Sequence, residues 1–149
     1  SAQQRLAGYR RMLDEAGIDH NPDYEFEGGF SFSSGLAAGR KLLSLQNRPT
    51  AIFASNDDMA AAVLQIAYDY KIDVPDELTI VGFDDSAIAS MVSPQITTVR
   101  QPIREMTRDA VDMLLHQIDT NNTSPSRHIE YKLIIRQSSG KVSSGKVAE

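Results

Sequence analysis

Thr79-Ile80-Val81-Gly82-Phe83-Asp84-Asp85 is a short apolar run that stops at a glycine and two carboxylates. A buried parallel strand reads this way, and it delivers its acids to the rim of a sheet. In open α/β folds, ligands bind at the carboxyl ends of such strands. The stretch that follows, Ile96-Thr97-Thr98-Val99-Arg100-Gln101-Pro102, alternates apolar and polar residues and ends at a proline. It reads as a strand that leaves the sheet for somewhere else.

Working outward, the pattern predicts a helix over residues 3–16, ended by Gly17, and an alternating strand at Tyr24-Glu25-Phe26-Glu27 broken by Gly28-Gly29. Ser33 is expected to cap a helix with Leu36, Leu42 and Leu43, in which Gly35 and Gly39 allow close packing. Residues 50–54 form a short buried strand, and Asn56 caps a helix burying Met59, Val63, Ile66 and Ala67, with Asp57 and Asp58 at its positive end. A turn or two of helix follows Ser86. Residues 103–118 are amphipathic, with Met106, Ala110, Met113, Leu114 and Ile118 on one face. Residues 121–127 are a polar loop, Ile129, Tyr131, Leu133 and Ile135 alternate in a last strand, and the Ser/Gly/Lys-rich residues 138–149 read as a disordered tail. Strands alternate with helices, so the expected class is α/β: a doubly wound, mostly parallel sheet with helices on both faces.

Bulk properties narrow the functions. A chain of 149 residues, 41% hydrophobic, suits one domain or a large part of one. The net charge of -5 argues against nucleic-acid binding by these residues themselves, which calls for a basic face. There is no membrane-length apolar run and no signal-peptide pattern. The chain has no cysteine, and His20, His116 and His128 show no metal-ligand spacing. The opening Ser1-Ala2-Gln3-Gln4 reads as a helix start with no strand before it, as if the chain began inside a larger protein.

Three polar clusters fall where strands end: Gly28 to Ser31, Ser55-Asn56-Asp57, and Asp84-Asp85. With Arg5 and the ring of Phe30, they offer the acceptors, donors and aromatic face that suit a polyhydroxylated small molecule. Asp57 and Asp85 are better explained as a helix-end acid and a turn residue. For Asn56 and Asp84, ligand contact and local capping stand equally. No nucleophile elbow, Walker loop or dinucleotide-binding glycine pattern is present, so no enzyme, cofactor or metal is expected. Adjacent acids leave a magnesium-dependent phosphotransfer or receiver domain as a weaker third reading. Asn121-Asn122-Thr123 is a glycosylation sequon by pattern only.

Arg5-Leu6-Ala7-Gly8-Tyr9, Ser55-Asn56-Asp57-Asp58-Met59-Ala60, Val81-Gly82-Phe83-Asp84-Asp85 and Thr97-Thr98-Val99-Arg100-Gln101-Pro102 together resemble the LacI/GalR family of bacterial transcription regulators. The resemblance runs from about residue 1 to residue 137. It implies a truncated periplasmic-binding-protein-like lobe: residues 1–100 as the second lobe of an effector-binding domain, 101–127 as a crossover and a helix for a missing first lobe, and 128–137 as the returning strand. On that reading, the DNA-binding domain is expected to be absent from these residues. By the same resemblance, Arg5, Phe30, Asn56, Asp84 and Gln101 contact a sugar or nucleoside-like effector, while Ile103 stands where some members carry an aromatic. The resemblance also implies a homodimer through residues 57–70 and 86–93, with Met59, Val63, Ile66, Ile88 and Met91 either at that interface or in the core. Operator DNA is reached only through the missing N-terminal domain, and the location is the bacterial cytoplasm, with no membrane partner. The helix at 103–118 would lose its partner, so self-association is expected. A periplasmic sugar-binding protein of a transporter, which shares the fold, is the alternative.

Overall fold

Residues 2–120 and 126–141 are described in this computed structural model. The elements, in chain order, are α1 (Ala2–Ala16), a single 3-10 turn (Pro22–Tyr24), α2 (Phe32–Leu43), β1 (Ala51–Phe53), α3 (Asp57–Asp69), β2 (Thr79–Val81), α4 (Ala87–Met91), β3 (Thr98–Arg100), α5 (Ile103–Thr120) and β4 (Lys132–Ile134). Strands β1 and β2 pair in parallel, with Ile52 opposite Ile80. Parallel bridges from Val81 to Thr97 and from Asp84 to Arg100 carry the sheet on to β3. β4 then adds antiparallel to β3, with Val99 opposite Leu133. The architecture is thus α/β with a parallel centre and one reversed strand.

The centre of the lobe is the α2–α3 contact and the strands beneath it. Leu42, Leu43, Ile52, Met59, Val63, Ile66, Leu78, Ile80 and Ile96 are all buried there. Gly35 and Gly39 permit the close approach, because a Cβ on Gly35 would lie 2.7 Å from the Met59 Cα. Met59, Val63 and Ile66, expected at a dimer interface or in the core, face this contact at 7%, 2% and 1% exposure and present no outer surface. Met91 does, at 80% exposure, and Ile88 is half-buried. The helical periodicity of α3 marks apolar faces without saying that α2 covers one of them.

Three expectations shift. The strand at 24–27 is replaced by the 3-10 turn, because Asn21 accepts the Asp23 amide and Pro22 fixes the first helical position. Its Glu25 side chain instead takes Arg10 Nε at 2.7 Å and His20 Nε2 at 2.8 Å. The Arg10 hydrogen bond and charge, helped by His20, hold that carboxyl at about 2. The α2 cap is Ser31 rather than Ser33: Ser31 Oγ accepts the Ser34 amide and Ser34 Oγ accepts the Ser31 amide, both at 3.2 Å.

Residues 138–141, expected to open a disordered tail, are among the described residues, and Ser138 belongs to the core. Ser138 is fully buried, its Oγ donating to the Ile80 carbonyl at 2.5 Å and accepting the Thr97 amide at 2.9 Å. Its carbonyl accepts the Ile80 amide at 2.8 Å. Ser138 therefore fills the space between β2 and the entry to β3, where only a small residue with its own hydrogen bonds fits. Residues 142–149, most of the loop at 121–127 and the sequon lie outside the described residues.

Helix α5 buries no residue, and Met106, Leu114 and Ile118 are 41%, 60% and 76% exposed. Tyr131, Leu133 and Ile135 alternate as predicted but are exposed as well. No helix among the described residues is long and apolar enough to cross a membrane.

Candidate functional site

The carboxyl ends of the parallel strands gather the polar clusters. Arg5, on the first turns of α1, donates Nη1 to the Ser55 carbonyl at 3.0 Å. Its guanidinium lies 3.8 Å above the centre of the Phe83 ring and 6.0 Å from that of Phe30. A guanidinium stacked on one ring and tied to one carbonyl keeps its remaining N–H groups pointed in a fixed direction. The stacking partner Phe83 was not singled out from sequence; its place between Gly82 and Asp84 is the only local signal.

Asn56 ends the strand–helix turn after β1. Its Oδ1 accepts the Met59 amide at 2.9 Å, which caps α3, and its Nδ2 donates to the Phe30 carbonyl at 3.0 Å. Phe30 has a left-handed backbone, φ 55°, and is 45% exposed. Such a conformation costs a non-glycine residue about 1–3 kcal/mol and persists where neighbours enforce it. Asn56 is 8% exposed, and its side chain both caps α3 and holds the Phe30 carbonyl.

Asp84 and Asp85 continue the pattern of strain, with φ 112° and 56°. The Asp84 amide donates to the Val99 carbonyl at 2.9 Å, and Gln101 Nε2 donates to Asp84 Oδ1 at 2.7 Å. Gln101 sits at the head of the crossover, so it orients the acid from the strand that leaves the sheet. Asp85 pairs with Arg100 and Arg136. Burial pushes its carboxyl up, but the hydrogen bonds and charges of the two arginines outweigh this and hold it below the usual carboxylate range.

A cavity of about 550 Å³ opens nearby, between α1, residues 24–30 and the free edge of β1. Most of its wall is apolar, including Leu42, Ile52, Phe53 and Val63, and Arg5, Gly28, Phe30 and Ser55 of the polar clusters line it together with Gln3, Glu25 and Glu27. Among the described residues, no group of three or more His, Asp or Glu is placed to hold a metal ion. Asp85 is held by two arginines, and Asp84 Oδ1 accepts from Gln101.

Residues 1–139 match the periplasmic binding protein-like domain family. The ribose operon repressor of Escherichia coli (strain K12) is 41% identical over 117 residues, 78% of this chain and 36% of the repressor. Among solved structures, the transcriptional regulator CelR–cellobiose complex superposes with a TM-score of 0.84 at 36% identity, over 90% of this chain and 41% of that one. A LacI family transcriptional regulator from Bifidobacterium animalis subsp. lactis DSM 10140 gives 0.85 at 30% identity, over 94% and 51%. This chain belongs to the LacI/GalR effector-binding domains.

The chain spans about a third to a half of the proteins it matches. Its relatives are LacI-type repressors rather than transporter binding proteins. Of the five site residues expected for a LacI/GalR effector domain, Arg5 and Phe30 come within cation–π range, Asp84 and Gln101 share a hydrogen bond, and Asn56 reaches Phe30 through its carbonyl. Ile103 is 54% exposed at the start of α5, and its amide donates to the Gln101 carbonyl at 2.9 Å.

Proposed function

We propose that this chain is the effector-sensing and dimerising portion of a LacI-type transcriptional repressor of the bacterial cytoplasm. A sugar or nucleoside-like molecule binds at Arg5, Phe30, Asp84 and Gln101. The observation that carries this is a guanidinium fixed on Phe83 beside an exposed Phe30, together with a carboxylate aimed by Gln101. Guanidinium and carboxylate read hydroxyl groups, and the ring covers an apolar sugar face. The names of two similar proteins, a ribose operon repressor and a regulator in complex with cellobiose, support a sugar. In the intact protein, ligand would favour the closed arrangement of two lobes, and the DNA-binding heads would follow; this requires different affinities for the two states.

A panel of sugars and nucleosides, read by melting temperature on the intact two-lobed protein, tests the assignment. A ligand at one hundred times its Kd should stabilise it by about 2.7 kcal/mol. Arg5→Ala and Asp84→Ala should each abolish that shift. Full shifts in both variants would put the site elsewhere.

The dimer surface consistent with the fold is the outer side of α3 with the end of α4 and the residues after it. Tyr68 and Met91 are 82% and 80% exposed there, beside a groove lined by Phe32, Leu64, Val92 and Pro94. Tyr68→Asp should halve the mass seen by light scattering, while Leu114→Glu on α5 should leave it unchanged. The reverse pattern would assign association to the exposed α5 stripe.

A further inference from the structure

Asp85 does more than a turn needs. It sits directly after the effector-facing Asp84, and its side chain is 8% exposed. Oδ2 meets Arg100 Nε on β3 and Oδ1 meets Arg136 Nη2 just past β4, both at 2.5 Å. Arg136 is itself fixed: its Nη1 donates to the Ile96 carbonyl at 2.8 Å and its amide donates to Thr97 Oγ1 at 2.8 Å. The Asp85 amide donates to Thr98 Oγ1 at 3.3 Å. The two arginines lie on the strand that carries the chain out to α5 and on the segment that brings it back.

We propose that Asp85 is a positioning residue, whose carboxylate braces the outgoing β3 through Arg100 and the returning chain after β4 through Arg136, fixing both crossings against the turn that presents Asp84. Arg136 carries most of the brace, because its side chain is 14% exposed against 52% for Arg100, and water screens the exposed pair. The inference rests on the proposed effector reading only for the role of Asp84; the brace itself needs no ligand.

A turn-shaping role and a brace make opposite predictions for two variants. Glycine, and to a lesser degree asparagine, adopts the left-handed backbone of residue 85 more readily than aspartate. If Asp85 only shapes the turn, Asp85→Gly and Asp85→Asn should leave the lobe as firm as before or firmer. If it braces the crossings, both variants should speed hydrogen exchange at Thr98–Arg100 and Lys132–Ile134 at least tenfold, and Arg136→Gln should do the same. Exchange at β1 and β2 should stay within about twofold.

Unchanged exchange in the Gly and Asn variants, or a uniform rise through the whole lobe, would overturn the proposal. The unsubstituted chain provides a check that survives any failure of the variants to fold. The groups on this carboxylate are Arg100 and Arg136; Asp84 precedes it in the chain, and Asp57 lies across Thr98, which accepts the Asp85 amide. In an NMR titration, the amides of β3 and β4 should shift with the midpoint of the Asp85 carboxyl carbon, below that of an exposed aspartate. Amides that follow a different midpoint would count against the brace. None of these measurements includes effector, so a failed effector screen and a failed brace remain distinguishable.

Discussion

Gly35→Ala is expected to lower the stability of this lobe by about 3 kcal/mol, the upper part of the range for overpacking a core. The new Cβ would lie 2.7 Å from the Met59 Cα, 2.8 Å from the Ala62 Cβ and 2.9 Å from the Met59 carbonyl oxygen. Two of these three atoms are backbone, so no rotamer change relieves the clash. Helix α2 has to move off α3, and that contact holds Leu42, Val63 and Ile66 in the core. The gain in helix propensity, about 1 kcal/mol, offsets only part of the loss. Gly39→Ala is the control. Its Cβ would meet Ile66 Cγ1 at 3.3 Å and the Val63 Cα at 3.4 Å, tight but near ordinary contact, so propensity should cancel most of its cost. Urea unfolding should show a lower midpoint with unchanged slope for Gly35→Ala, and a melting temperature lower by about 10 °C. Equal stability of the two variants would mean that the helices do not approach this closely.

The features legible in the sequence are those that local chemistry decides. Asn56 before two acids announces a helix start, and its Oδ1 caps Met59 as expected. Val81-Gly82-Phe83-Asp84-Asp85 announces a strand ending in a turn, and both acids adopt the positive φ that short polar side chains tolerate. Gly35 and Gly39 announce close packing. What stayed hidden depends on partners remote in sequence. Ser138 looks like the start of a Ser/Gly tail, yet it joins Ile80 across 58 residues. Arg136 looks like a strand-end cation, yet it joins Asp85 across 51. The segment 24–27 has a strand's alternation, but alternation fixes only which side chains share a face and not whether an edge is there to pair with. The candidate site divides in the same way: Arg5, Phe30, Asp84 and Gln101 follow from motifs, whereas the platform under Arg5 appears only once Phe83 is placed.

The site and the core meet at Asp57, and Asp57→Ala should be the second large loss, about 3 kcal/mol. This acid is 1% exposed. Its Oδ1 accepts the Thr98 hydroxyl at 2.6 Å and its Oδ2 accepts the Ser86 amide at 2.7 Å. It therefore ties the start of α3 to β3 and to the turn before α4, beneath Asn56, Asp84 and Asp85. Alanine would leave a hydroxyl and an amide without their acceptor, each costing about 1–3 kcal/mol when buried. It also opens space beside Gly82, whose absent side chain is what lets the carboxylate fit: a Cβ there would lie 2.3 Å from Oδ1. Asparagine keeps the volume and one acceptor, so Asp57→Asn should cost less than alanine. The pH dependence separates charge from shape. Burial raises the Asp57 carboxyl, the Thr98 and Ser86 hydrogen bonds pull it partly back, and the charge of Asp84 raises it again, leaving it above its ordinary value. The folded chain then holds this proton more tightly than the unfolded chain. The stability it contributes is fully present below the unfolded carboxylate value and is lost as pH rises through the folded one. Asp85 acts in the opposite sense, since its lowered carboxyl adds stability above the usual carboxylate range that is lost as pH falls through the folded value. Comparing the unsubstituted chain with Asp57→Asn cancels Asp85 and isolates Asp57. The stability gap between them, measured by urea unfolding across the acid range, should narrow as pH rises. A gap that widens would show that the Thr98 and Ser86 hydrogen bonds outweigh burial, and that this acid is held as a charge.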